Sequence, residues 1–420
     1  MPHWRSASYP PQLRDVVRRV AITGIGAIAA IGNDAATCWR SMRDARSGIR
    51  PLTLAARDTL KVPIGGEVRD FEPSAHFEPK QLMLLDRVSQ FALVAAREAV
   101  RQSGINFQRD DLGERSAIIV GTGGGGQTSQ DQASRSLYGD RDQRVHPLTI
   151  VRVMANAPAC HISMEFQVTG PTFAISSACA SANHALAVAF QMVRSGQVDV
   201  AIAGGSEACL TVATIRAWEA MRVLADDACR PFSAARRGLV LAEGAGIFVL
   251  EAMPHAQARG ARILAEFAGA GLSADAGDIV SPSAQGAARA LRAALRDAQL
   301  SPRDIDYINA HGTGTIANDA TETRALHDVF ESHAPCLSIS STKSVHGHAL
   351  GAAGAIELIA ACGALRDGVI PPTANYLGAD PQCDLDYTPN VSRARSVAAA
   401  LSNSFAFGGL NAVLALKRAA

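Results

Sequence analysis

The segment Thr172-Phe-Ala-Ile-Ser-Ser-Ala-Cys179-Ala-Ser-Ala-Asn-His-Ala-Leu-Ala187 begins as an apolar strand and continues as a helix of small residues. The pattern predicts that the strand ends near Ser177 and that the helix begins at or directly after Cys179. At such a corner, backbone N–H groups and the helix dipole favour the thiolate, and the same N–H groups can hold an oxyanion. A simpler interpretation stays open, in which Cys179 is a buried small hydrophobic residue.

Apolar strands alternate with helices on both sides of residue 265. Strands are predicted at 20–23, 117–120, 172–175, 198–203, 246–250, 263–270, 305–310, 337–340, 396–401 and 412–416. Helices are predicted at 85–103, 180–195, 215–224, 284–298, 319–330 and 351–366. This alternation indicates an α/β fold in which helices cover both faces of a parallel or mixed sheet. We expect a flexible leader (1–18), an N-terminal half with the cysteine (19–265) and a C-terminal half with the histidines described below (266–420). No direct sequence repeat relates the halves.

Composition and charge exclude several classes of protein. The 420 residues carry a net charge of +1, so no overall basic field attracts nucleic acid or anionic lipid. The hydrophobic content of 48% supports a large core, but no apolar stretch approaches the length of a membrane span. The first 19 residues contain no apolar h-region, and the eight cysteines form no C-x-x-C pair. We therefore expect a cytoplasmic protein with neither a membrane nor a nucleic acid as partner.

Two segments of the second half place histidines at the ends of predicted strands. The first is Asn-Ala-His311-Gly-Thr313-Gly-Thr315, and the second is Ser-Ser-Thr-Lys343-Ser-Val-His-Gly-His348, which precedes a Gly/Ala-rich helix. A helix N-terminus and the nearby Lys343 cation disfavour a charged imidazolium at His348, and a neutral imidazole can donate an N–H to an oxyanion or enolate. The two histidines of H-G-H could also bind a metal. However, no acidic or cysteine ligand accompanies them at the usual spacing, so no metal is expected.

Two glycine-rich segments resemble nucleotide-binding loops. Gly24-x-Gly26-x-x-Ala29 follows a predicted strand as a dinucleotide loop does, but no acidic ribose partner follows a second strand, which favours a tight turn. Gly121–Gly126 lacks the Lys-Ser/Thr of a P-loop, so we interpret it as a local flexible loop.

Four ordered motifs resemble those of the β-ketoacyl-acyl-carrier-protein synthases: S-A-C-A-S (177–181), N-A-H-G-T-G-T (309–315), S-S-T-K-S-x-x-G-H-x-x-G-A-A-G (340–354) and N-S-F-A-F-G-G-L-N (403–411). The chain is most similar to the elongating, ketoacyl synthase II type and, within it, to nodulation-type members. The resemblance implies the thiolase fold, with two duplicated α/β halves in five layers (αβαβα), usually as a homodimer. It also implies a decarboxylative Claisen condensation of malonyl-carrier protein with an acyl group held on the cysteine.

The resemblance also assigns roles to residues. Cys179 matches the nucleophile, His311 and His348 the decarboxylation pair, and Lys343 their supporting cation. Glu322 matches an acid near the lysine, and Phe405 matches the gate, whose N–H completes an oxyanion hole with that of Cys179. Thr313 and Thr315 match contacts of the pantetheine arm. Lys80 and Arg222 match contacts of an acidic carrier protein. No cofactor is implied, because the substrates bring their own phosphopantetheine. For Lys80 and Arg222, an ordinary solvated charge is an equally good interpretation.

The chain departs from the family pattern near the substrate. Gly277-Asp278 stands where relatives carry an aromatic-His pair, Leu239 stands where they carry a pocket phenylalanine, and Arg237 stands where they carry an acid. Most relatives have glycine at position 406 and threonine at position 410, where this chain has Ala406 and Leu410. Near Lys80, Met83 and Leu84 stand where relatives are basic. These differences leave the acyl chain open.

The sequence also bears on several functions other than that of the synthase. His348 disfavours a ketoacyl synthase III, and the absence of a second cysteine near the C-terminus disfavours a thiolase. The presence of Cys179 disfavours a chain-length factor. A catalytically weak partner subunit and a cysteine acyl hydrolase stay as alternatives.

Overall fold

The structure, a computed structural model, describes residues 17–54, 56–139 and 144–419. Its strands are β1 (Val20–Ala29), β2 (Arg50–Pro51), β3 (Ile64–Gly65), β4 (Ser116–Gly121), β5 (Thr172–Ile175), β6 (Val200–Glu207), β7 (Gly244–Ala252), β8 (Ala265–Ala274), β9 (Tyr307–Asn309), β10 (Ser338–Ser340), β11 (Val369–Ile370), β12 (Arg393–Ala394), β13 (Ala399–Ala406) and β14 (Leu410–Lys417). Its α-helices are α1 (Ala35–Arg43), α2 (Pro79–Leu82), α3 (Arg87–Ser103), α4 (Gln127–Ser134), α5 (Thr149–Val153), α6 (Ala157–Phe166), α7 (Ser181–Arg194), α8 (Val212–Ala220), α9 (Met253–Ala258), α10 (Ala284–Asp297), α11 (Ile316–Phe330), α12 (Lys343–His346) and α13 (Ala353–Asp367).

Local sequence signals fix the ends of several helices. The Asp86 side chain accepts the Val88 N–H at the start of α3, and Gly104, at φ +68°, ends the same helix in the left-handed conformation. The Thr315 hydroxyl caps α11 by accepting the Asn318 N–H. The segment that follows His311 therefore enters α11 at a defined residue, Thr315.

The two halves of the chain repeat one topology. In the first half the strand order is β5-β4-β6-β7-β1, and in the second it is β10-β9-β13-β14-β8. In each half the first three strands are parallel, and the last two run antiparallel to their neighbours. The halves meet at β1 and β8, which pair antiparallel over three residues of each strand, 20–22 and 265–267. The duplication is thus visible in the strand order, although the sequence shows no repeat.

Two buried helices lie between the halves. Helix α7 contacts β4 and β6 of the first half and β14 and β8 of the second, and α13 contacts β7 as well as β13 and β9. On the outer faces, α3 and α6 pack on the first half, and α10 and α11 cover the second. The result is the five-layer αβαβα order that the family resemblance implies.

Strand β1 is longer than predicted, and its glycines do not form a tight turn. Gly24 and Gly26 lie within the strand, directly beneath α3. A Cβ on either glycine would overlap with a backbone carbonyl oxygen of that helix, of Ala99 or Ala95 respectively. The prediction of a turn was wrong, because close packing between strand and helix, rather than a change of chain direction, requires glycine here.

The predicted leader lies mostly outside the described residues, which begin at Val17. Arg18 donates its backbone N–H to the Arg194 carbonyl and forms an ion pair with Asp199 at 2.8 Å. None of the helices in the described ranges is both long and apolar enough to span a bilayer.

Candidate active site

One cavity opens where the carboxyl ends of several strands from both halves meet. It encloses about 690 Å³, including its open mouth, and its lining is mostly apolar. Cys179, which follows β5, shares the cavity with His311, which follows β9, and with His348, which follows β10. Phe405, near the end of β13, also lines it. This position agrees with the general rule that α/β sheets bind ligands beyond the carboxyl ends of their strands.

Cys179 lies in a tight corner of the backbone. Ala178, directly before it, has φ +49°, in the left-handed region that costs a non-glycine residue about 1–2 kcal/mol. The Ser181 hydroxyl bridges this corner, accepting the Ser177 N–H at 2.9 Å and donating to the Ala178 carbonyl at 2.6 Å. The backbone before α7 is thereby held in the strained form that presents Cys179 to the cavity.

The expectation of a thiolate at the helix N-terminus was wrong for the resting site. Burial raises the pKa of the Cys179 thiol to about 12, although the charge of Lys343 acts in the opposite direction. The N–H groups of Ala180 and Ser181, at the start of the helix, donate to the carbonyls of Ser177 and Ala178. Burial therefore favours the neutral thiol of Cys179 in the resting site.

Lys343 determines the tautomer of His311. Its buried ammonium donates to the His311 carbonyl at 2.7 Å and to the His311 Nδ1 at 3.3 Å, and forms an ion pair with Glu357. Because an ammonium can only donate, Nδ1 accepts, and the ring proton of His311 lies on Nε2. Burial first, and then Lys343 and His348, lower the pKa of His311 well below its ordinary value. His311 is consequently a neutral N–H donor.

The acid that pairs with Lys343 is Glu357, not Glu322. Glu322 accepts the backbone N–H groups of His311 and Gly312, at 2.9 and 2.8 Å, and a side-chain N–H of Asn403 at 3.0 Å. Glu322 thus holds the backbone that carries His311. Burial raises the pKa of Glu322, and the charge of nearby Lys343 acts in the opposite direction, whereas the direct ion pair with the ammonium is formed by Glu357.

His348 is fixed through its backbone. Its N–H donates to the Val240 carbonyl at 2.7 Å, and its carbonyl accepts the Ala242 N–H at 2.9 Å. Its ring lies edge to face with that of His311, with the ring centroids 5.4 Å apart. Burial and the nearby Lys343 lower the pKa of His348 well below its ordinary value, so this imidazole is neutral as well. Two uncharged rings therefore converge on the cavity that contains the thiol.

The mouth of the cavity is bounded by the hairpin between β13 and β14. Phe407, in its loop, stacks on Trp218 of α8 with the ring centroids 5.8 Å apart. Gly409, at φ +69°, leaves no room for a side chain, since a Cβ there would lie 2.5 Å from the Cβ of Asp275. The conformation of this loop thus depends on glycine.

Some of the positions at which the chain departs from its family lie in or beside the cavity. Leu239 lines it, as does Ala406, the last residue of β13, which pairs with Leu410 in the hairpin. The Asp278 carboxylate accepts the N–H groups of Val280 and Ser281. This turn places exposed Val280 in the lining of the cavity.

The remaining predicted residues divide into two sets. Thr313 and Thr315 line the cavity, and their hydroxyls lie 2.9 Å apart. Lys80 and Arg222 are exposed and lie outside the cavity lining, although Arg222 directly precedes the lining residue Val223. The structure therefore brings the two threonines to the site and leaves the two basic residues on the surface.

Two buried acids escaped the sequence reasoning. Glu357 is the one acid among the buried residues of the apolar helix α13, a pattern that signals a buried cationic partner. Glu207 ends β6, and its carboxylate accepts N–H groups from both halves of the chain. Within the described residues, no group of three or more His, Cys, Asp or Glu side chains is arranged to hold a metal ion.

Comparisons with known proteins agree with this geometry. The family model "Beta-ketoacyl synthase, N-terminal domain" matches residues 17–256, and "Beta-ketoacyl synthase, C-terminal domain" matches residues 264–377. Nodulation protein E of Rhizobium sp. (strain N33) is 51% identical, over 96% of this chain and 99% of that protein. 3-Oxoacyl-[acyl-carrier-protein] synthase 2 of Staphylococcus aureus (strain N315) is 38% identical, over 96% and 98% respectively.

A solved ketosynthase shares the architecture. It was determined with its type II polyketide synthase acyl-carrier protein and a bound hexaketide. It is 31% identical, covers 96% of this chain and 100% of that chain, and superposes with a TM-score of 0.88. The chain therefore belongs to the β-ketoacyl synthase family, has the thiolase fold of that family, and is an acyltransferase similar to the ketoacyl synthase II type and to nodulation protein E.

Proposed function

We propose that this enzyme condenses an acyl group held on Cys179 with the two-carbon unit of malonyl-carrier protein, and that it releases CO₂ and a β-ketoacyl-carrier protein. The observation that carries these residue assignments is the meeting of one thiol and two neutral imidazoles, from opposite halves of the chain, in a single cavity.

In the first step, the Cys179 sulfur attacks the carbonyl of an acyl thioester. Since the resting group is a thiol, its proton leaves the sulfur as the S–C bond forms. The proton then passes to the departing pantetheine thiolate. Exchange of one thioester for another is nearly isoenergetic, which suits a thiol nucleophile.

In the second step, malonyl thioester loses CO₂. The electron pair of the broken C–C bond forms an enolate, whose oxygen accepts N–H bonds from the His311 and His348 rings. A donor aimed at such developing charge contributes about 2.7–4 kcal/mol to transition-state stabilisation. Lys343 keeps the His311 proton on Nε2, the nitrogen that it does not contact.

In the third step, the enolate carbon attacks the acyl-Cys179 carbonyl. The tetrahedral oxyanion is held by the backbone N–H groups of Cys179 and Phe405. The oxyanion then re-forms the carbonyl as the C–S bond breaks, and the released Cys179 thiolate takes up a proton from solvent. Phe405 supports this role by its position, because it lines the cavity with its ring centroid 6.1 Å from that of His311.

We assign the delivery of both substrates to an acyl carrier protein. Its phosphopantetheine arm would run past Thr313 and Thr315, and exposed Lys80 and Arg222 would face its acidic surface. This proposal includes no further cofactor. The exposed edge strand β5, with apolar Phe173 at its surface, supports assembly as a homodimer.

We also propose that the chain divides into two halves between residues 265 and 266, and that the protein is cytoplasmic. Strand β8, which begins at Ala265, supports a division at this point, and the free thiols of all eight cysteines, which lie in the described residues, support a reducing location.

The test supplies purified protein with an acyl donor and malonyl-carrier protein, and follows the mass of Cys179, the release of CO₂ and the β-ketoacyl product. Acylation of Cys179 together with condensation supports the proposal. Release of free acid without condensation would identify a hydrolase, and absence of all three signals would identify a non-catalytic subunit.

A further inference from the structure

The carboxylate of Glu207 joins the two halves of the chain. Its Oε2 accepts the Gly123 N–H at 2.6 Å and the Gly351 N–H at 2.9 Å. Its Oε1 accepts the Gly124 N–H at 3.1 Å and the Thr122 hydroxyl at 3.2 Å. Gly351 lies three residues after His348 in the second half, whereas Glu207 and the glycine loop belong to the first.

The segment between His348 and Gly351 is strained. Leu350 has φ +43°, a conformation that a side chain with a Cβ adopts only when its surroundings hold it there. The leucine packs in the same apolar cluster as Cys179, Ala180 and Leu241. On the side of His348, the backbone is tied to Val240 and Ala242. On the other side, Glu207 holds the Gly351 N–H.

All four groups that bond to the carboxylate are donors, and the residue is fully buried. A Cβ on Gly123 would lie 2.9 Å from Glu207 Oε2, and a Cβ on Gly351 would lie 2.6 Å from the same atom. The two glycines therefore allow both backbones to approach one oxygen. This arrangement is built around a carboxylate of this length.

We propose that Glu207 is a positioning residue, which fixes the His348 segment of the second half against the Cys179 corner of the first. The inference rests on the proposed function, since it concerns the decarboxylation step at His348. Acylation of Cys179 depends on its own corner and should depend little on Glu207. Decarboxylation and condensation depend on the position of His348, and a misplacement of about 1 Å can cost roughly 100-fold in rate.

Two variants separate the reach of the side chain from its charge. E207D keeps the charge but shortens the side chain by one C–C bond, about 1.5 Å. Its carboxylate therefore loses the hydrogen bond from the Gly351 N–H. E207Q removes the charge but keeps an oxygen at full reach. E251D is the matched control, because Glu251 is equally buried but binds Arg259 and His255 at the end of β7.

The experiment measures Cys179 acylation by mass, CO₂ release from malonyl-carrier protein, and hydrogen exchange of residues 347–353. For E207D we expect CO₂ release to fall roughly 30- to 100-fold, acylation to change less than about threefold, and hydrogen exchange to accelerate. E207Q should lose less CO₂ release than E207D, because its amide oxygen can still accept the Gly123 and Gly351 N–H groups although its NH₂ group cannot accept from Gly124 or Thr122, and E251D should show no such split.

Wild-type rates of CO₂ release in E207D would overturn the inference, as would an equal loss of acylation and CO₂ release in that variant. A wild-type protein that acylates Cys179 and releases CO₂ establishes the proposed function in the same samples. If the wild type did neither, the proposed function would be refuted, and the inference with it.

Discussion

Replacement of Lys343 by methionine tests how the buried cation controls His311. The Lys343 Nζ lies 3.3 Å from the His311 Nδ1, so at an effective dielectric constant of about 20 its charge disfavours an imidazolium by about 5 kcal/mol. Glu357, paired with the same ammonium, offsets part of this effect. Removal of the cation raises the pKa of His311, so the neutral ring persists only at higher pH. The acid limb of decarboxylation should move up by about one to two pH units.

The tautomer should change as well. Without a donor at Nδ1, the His311 proton is no longer confined to Nε2, and loss of one oxyanion donor costs roughly 100-fold in rate. K343M also leaves Glu357 buried without its partner, which costs up to about 3–5 kcal/mol of unfolding free energy. The double variant K343M/E357M removes both charges and should recover most of that stability, but not the activity.

The assay is CO₂ release from malonyl-carrier protein between pH 5 and 9, with chemical denaturation in parallel. For K343M/E357M we expect a stable protein with slow decarboxylation and a shifted acid limb. A double variant that decarboxylates within about threefold of wild type, with the same pH profile, would refute the assignment of Lys343 to His311.

The remaining predictions concern the nucleophile, the hairpin between β13 and β14, and strand β1. C179A should lose acylation and condensation but still release CO₂, because decarboxylation uses the imidazoles; mass spectrometry and a CO₂ assay check this, and loss of CO₂ release in a folded variant would contradict it. G409A should lower condensation roughly tenfold, because the left-handed φ and Asp275 leave no room for a methyl group; unchanged steady-state rates would count against this account of the loop. G24A should lower the free energy of unfolding by about 3 kcal/mol or more, because its methyl group meets the Ala99 carbonyl; urea denaturation measures this, and a loss below about 0.5 kcal/mol would be incompatible with the packing.

The elements near the site could be predicted from the sequence because local patterns define them. The strand before Cys179 and the helix after it were expected at 172–175 and 180–195, and the structure has them at Thr172–Ile175 and Ser181–Arg194. Helix α8 was expected at 215–224 but begins earlier, because the Thr211 side chain caps it, and it ends at Ala220. Caps and hydrophobic periodicity act over a few residues and can therefore be read in one dimension.

The ionisation state of Cys179 could not be predicted in this way. Its burial depends on side chains that come from distant parts of the chain, among them Leu241, Leu350 and Ala412, which pack in the same cluster. The same reason explains why the sequence did not reveal Glu357 as the ion-pair partner of Lys343. The sequence shows an acid close to the His311 motif, but only the packing of α13 reveals that Glu357 reaches the ammonium.

The small side chains of α7 and α13 set the clearance in which the new carbon–carbon bond would form. Of the described residues, none from these two helices lines the cavity. The helices nevertheless separate the half of the sheet that carries Cys179 from the half that carries the two histidine rings. Gly246 on β7 already lies so close to Ala355 that a methyl group at the glycine would overlap the helix backbone. A bulkier residue in these helices would therefore push the two halves of the sheet apart and lengthen the distance between sulfur and imidazole, so catalytic geometry depends on alanines far from any reacting atom.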